Sequence, residues 1–105
     1  MSNKLFEDMT TSITNLKSRC KYYDTFDEDV KIIKCMMNNT DKLNVIGECL
    51  DKLQTDLNKL YDAVGFNELI LDWQVCINQL RNFYNIADPQ ELIYRNNLDD
   101  EYFAQ

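Results

Sequence analysis

The chain has 105 residues, enough for one domain and too few for two. Hydrophobic residues make up 45% of it, which excludes a disordered chain, and two glycines with one proline are too few for a sheet protein with several hairpins. The net charge of −7 disfavours direct contact with nucleic acid or anionic lipid, and the absence of histidine removes nucleophile–histidine pairs and histidine-bearing zinc sites. Composition therefore predicts an all-α protein. We expect a small antiparallel bundle of three or four helices with coiled-coil-like heptads and a short C-terminal segment.

The first helix is expected from about Asn3 to Tyr23, with Ser2 as its cap. Its apolar stripe is Phe6, Met9, Ile13, Leu16, Cys20 and Tyr23, spaced by threes and fours. The stripe is narrow, and a narrow seam is satisfied as readily by another chain as by this one. Phe6, Met9, Ile13 and Leu16 are thus candidate partner-binding residues, and a homo- or hetero-oligomer is expected.

The register breaks after Tyr23. Thr25 followed by Glu28 matches a capping box, so a second helix should span 26–37. It should bury Val30, Ile33 and Met37, with Ile32 and Met36 flanking. A single bent helix over 3–37 is the alternative, and the pattern leaves both open.

The third helix, expected over 41–64, carries the strongest pattern in the chain. Leu43, Ile46, Leu50, Leu53, Leu57, Leu60 and Val64 alternate steps of three and four over three heptads. Gly65 follows at once, where a helix end favours a residue that tolerates positive φ. The fourth helix, expected over 67–86, has a wide apolar set of Leu69, Ile70, Trp73, Cys76, Ile77, Leu80, Phe83 and Tyr84. Width implies two neighbours and a central place, with Trp73 in the core. The third and fourth helices should form an antiparallel hairpin at Gly65.

Asp88-Pro89-Gln90-Glu91 predicts a short helical turn over 89–95, and residues 1–97 are expected to make up the folded unit. Residues 98–105 form an acidic tail that includes Tyr102 and Phe103. An aromatic pair beside acids is a candidate docking segment for a basic, apolar groove.

The chemical inventory is poor. There is no glycine-rich phosphate loop, and Glu68 with Asp72 is the nearest thing to a paired-carboxylate site. Cys20, Cys35, Cys49 and Cys76 form no CxxC clip and read as reduced thiols, mostly facing the core. We expect no cofactor, no metal, no enzymatic activity and no membrane insertion. The N-terminal residues lack a signal-peptide apolar region, which predicts a cytoplasmic or nuclear protein.

In length and central hairpin the chain resembles the small secreted helical-hairpin proteins of the WXG type. Its turn, Val64-Gly65-Phe66, lacks the tryptophan and lies past mid-chain, and four cysteines are unexpected in that setting; these departures decide against that family, and no residue role is carried over. The expected function is that of a protein–protein interaction module, a small helical subunit or adaptor of an intracellular multi-protein complex. The alternative is an acidic inhibitor or mimic of viral or phage type that blocks a basic surface.

Overall fold

A computed structural model describes residues 2–87. It contains α1 (Ser2–Arg19), α2 (Phe26–Met37), α3 (Leu43–Val64) and α4 (Glu68–Tyr84), and no strand among the described residues. The expected turn at 89–95 and the tail at 98–105 lie outside that range. Two separate helices, not one bent helix, occupy the first third of the chain.

The helices follow one another around a ring. α1 packs against α2 and α4, and α3 packs against the same two, while neither diagonal pair brings its backbones close. Short links make successive helices antiparallel. The links 20–25 and 65–67 therefore share one end of the bundle, here called the upper end. The link 38–42 lies at the other.

α3 buries Ile46, Cys49, Leu50, Leu53, Leu57 and Leu60. Leu43, at its first residue, is exposed and Val64, at its last, is half-buried, because the ends of the stripe overrun the neighbouring helices. α4 buries Ile70, Trp73, Cys76, Ile77, Leu80 and Arg81. Phe83, expected on the apolar face, is exposed.

Correction is needed at α1 and α2. The stripe Phe6, Met9, Ile13 and Leu16 is buried within the chain itself, and α1's most extensive pairing is with α4. It is part of this chain's own core. α1 also ends four residues early, at Arg19, leaving Tyr23 buried but outside the helix. On α2 the buried set is Asp29, Ile33 and Met36, while Met37 is exposed and Val30 only half-buried. The helix is turned so that an acid, not a valine, faces inward.

The caps divide in the same way. Asn67 caps α4 through its side-chain oxygen, which accepts from the Leu69 amide at 2.7 Å. Asn85 (φ 58°) closes the other end in left-handed conformation, with the Ile86 amide donating to the Arg81 carbonyl at 2.8 Å. Ser2 lies within α1. Thr25 makes no side-chain cap; its hydroxyl goes to Asp29 instead.

Gly65 ends α3 as expected, with φ 78° and ψ −162°. That region is essentially restricted to glycine. A Cβ there would meet nothing within 4 Å, so crowding is no part of the effect of substitution. Gly65→Ala should therefore lower stability by about 1–3 kcal/mol through backbone strain alone. Chemical denaturation measures this, and an unchanged midpoint would show that the turn relaxes freely.

Polar pairs lock the seams between helices. Gln54 and Gln74 exchange side-chain hydrogen bonds of 2.7 and 2.8 Å between α3 and α4. Arg81 is buried, and its Nη2 reaches Asp51 Oδ1 on α3 at 3.0 Å.

Candidate functional site

The upper end gathers the chain's unusual groups. Tyr23, in the link after α1, is buried with its ring 5.7 Å from Trp73 of α4 and 6.0 Å, edge-on, from Phe26 of α2. Lys17 lies 5.8 Å over the Phe26 ring and shields it. An aromatic wedge thus joins the link to two helices. The Tyr23 hydroxyl donates to Asp29 Oδ2 at 2.8 Å, and the Thr25 hydroxyl donates to the same oxygen at 3.0 Å.

Asp29 is 0% exposed, and its second oxygen, Oδ1, receives no donor among the described residues. Asp56, on α3, is the acid whose charge bears on Asp29. Burial pushes the Asp29 carboxyl up to about 8; Asp56 adds to the rise, and the Tyr23 and Thr25 hydroxyls oppose it. The Asp29 carboxyl therefore keeps its proton at neutral pH. Burial and the neighbouring Asp29 also hold the Tyr23 phenol far above its usual range, so it remains a donor throughout.

Above this pair is a surface pocket of about 220 Å³, lined by Tyr22, Tyr23, Asp24, Asp56 and Lys59 among others. Asp56 is half-buried and faces the pocket, whereas Asp29 is sealed behind it. Thr25 and Lys59 are further polar groups that line the pocket. Among the described residues no group of three or more Cys, Asp or Glu side chains is arranged to hold a metal. Glu68 and Asp72, the acids singled out by spacing, are both exposed.

Around the pocket the same end displays aromatic rings to solvent. Phe66 is 71% exposed, Tyr22 61% and Tyr61 48%. They stand in or next to the two links that meet there. Of the candidate partner-binding residues, Phe6, Met9, Ile13 and Leu16 are spent in the core, and Tyr102 and Phe103 lie outside the described residues. Asp29, Asp56 and Phe66 were not singled out from sequence. Asp29 reads there as an ordinary acid in the first turn of a helix, and only its spacing from Tyr23 and Thr25 carries a signal.

No protein-family model, curated protein or solved structure matches this chain. The fold is a small all-α bundle, and no described helix is long and apolar enough to cross a membrane.

Proposed function

We propose that this chain is a non-enzymatic protein-binding module, a small helical subunit or adaptor, and that it engages its partner through the upper end of the bundle. The observation that carries this reading is the exposed trio Tyr22, Tyr61 and Phe66 at one end of the fold. Aromatic residues supply most anchors at protein interfaces, because a ring buries a large apolar area at small entropic expense. Here they cost the fold nothing to lose, since none is in the core. The net charge of −7 favours a basic partner.

The test is direct. Partners cross-linked to the full chain in its native source are identified, purified and rebound in isolation. Tyr61→Ala and Phe66→Ala should leave thermal stability within about 0.5 kcal/mol of the parent, as exposed changes do. Each should weaken binding of the purified partner by about 2 kcal/mol, roughly thirtyfold in Kd. Unchanged affinity in both variants and in Tyr22→Ala would place the interface elsewhere.

A further inference from the structure

The pocket at the upper end is small and carries unpaired charge. At about 220 Å³ it falls below the size of small-molecule sites and suits one long side chain. Tyr22, Tyr23, Asp24 and Thr25 line it from the link after α1, and Asp56 and Lys59 line it from α3. The hydroxyls of Tyr23 and Thr25 are committed inward, both donating to Asp29 Oδ2. Neither Asp24 nor Asp56 is ion-paired among the described residues, where the one salt bridge joins Arg81 to Asp51. Tyr22 is 61% exposed, with the Lys21 ammonium 5.4 Å over its ring.

We propose that this pocket receives an arginine side chain of a protein partner, its guanidinium held by the Asp24 and Asp56 carboxylates and stacked on the Tyr22 ring. This rests on the reading of the upper end as the docking surface, and it defines what the partner presents there. Guanidinium fits better than ammonium for a geometric reason. Its N–H groups point several ways in one plane, so it serves two carboxylates while its flat face lies on a ring. It is also more weakly hydrated, so it enters a small pocket at a smaller desolvation cost. Lys21 shows that the Tyr22 ring accommodates a cation, and the arriving guanidinium displaces that exposed side chain.

The charges around the site rank its residues. Two carboxylates against the one ammonium of Lys59 leave the lining net negative, within a chain of net charge −7 that draws basic partners. Asp56 is half-buried and Asp24 is exposed, so water screens the second more than the first. Asp56 is therefore the stronger of the two anchors. Lys59 opposes an incoming cation, and being exposed it can swing aside. The inward hydrogen bonds of Tyr23 and Thr25 fix the wall between the two acids before a ligand arrives, which lowers the ordering cost of binding.

The experiment titrates the isotope-labelled full chain with N-acetyl-arginine methylamide, whose capped ends leave the guanidinium as its only charge, and follows the amide resonances. The expected result is a set of saturable shifts confined to residues 22–25 and 56–60, with the millimolar affinity that a ligand of this size commands. The citrulline analogue, similar in shape but uncharged, gives none, and the lysine analogue binds several-fold more weakly. Asp56→Asn weakens arginine binding about tenfold and the exposed Asp24→Asn about threefold. Lys59→Gln tightens it, and Asp62→Asn, an exposed acid outside the lining, leaves it unchanged. Should Asp56→Asn disturb the fold, Asp24→Asn and Lys59→Gln carry the test. No saturable shift, shifts elsewhere, equal binding of citrulline, or indifference to the Asp24 and Lys59 changes would overturn the assignment. Binding of the purified partner separates the two readings. Loss with Phe66→Ala but not with Asp24→Asn or Asp56→Asn refutes the arginine pocket alone; the reverse supports the pocket and refutes the aromatic anchors.

Discussion

Trp73→Ala is expected to lower unfolding free energy by about 3–5 kcal/mol, a large share of the roughly 5–15 kcal/mol that holds a domain together. The ring is 0% exposed and is the largest side chain fully enclosed by the core. It backs Tyr23, which in turn positions Asp29, so its loss opens a void and also releases the link above α2. Trp73→Phe should be much milder. The indole Nε1 is buried without a partner among the described residues, and phenylalanine removes that donor along with some volume. Urea titration followed by far-ultraviolet dichroism gives both numbers, since the only tryptophan is lost as a fluorescent probe. An alanine variant within 1 kcal/mol of the parent would mean that the wedge does not hold the upper end.

The second large effect belongs to Asp29 and depends on pH. The folded carboxyl keeps its proton up to about pH 8, whereas its ordinary value is 3.8. Between these values the folded state binds more protons than the unfolded one, so stability falls as pH rises from about 4 to about 8. The contribution is complete below the lower value and gone above the upper. Asp29→Asn replaces the protonated acid by a neutral group of the same shape. Its carbonyl can accept from Tyr23 and Thr25 as Asp29 Oδ2 does. The variant should lack the slope and exceed the parent by about 2–4 kcal/mol near pH 9. Paired thermal melts at pH 5, 7 and 9 decide the matter. A difference that does not grow with pH, or an asparagine variant weaker than the parent at pH 9, would sink the account of a buried Asp29 that keeps its proton.

The contrast between Leu53 and Asp29 shows what sequence can convey. The α3 stripe is legible because its period lies within one helix and needs no knowledge of what covers it. Gly65 is legible for a similar reason, since one residue's backbone freedom reports one turn. The identity of the covering surface is a different kind of fact. Phe6, Met9, Ile13 and Leu16 have the same spacing whether α4 or a foreign helix lies on them, so the expectation of an open seam and the observed closed one share a pattern. Asp29 is further out of reach. Its burial rests on Tyr23 and Thr25 in a link without period, and on Asp56 twenty-seven positions later. Arg81 is similar, sealed by a partner thirty residues upstream. Phe66 stands out only once the fold shows that both links share an end.

The ring order has a consequence for how the molecule is made. Its most extensive helix pairing joins α1 to α4, the first described helix to the last described. Chains grow at about 5–20 residues per second, so α1 waits several seconds for its cover. Through that interval Phe6, Met9, Ile13 and Leu16 have only the shorter α2 beside them. Closure of the ring is a long-range event, of the kind that sets folding rate through the sequence separation of the contacts formed. The cover of α1 is complete only once α4 has been made and reaches it.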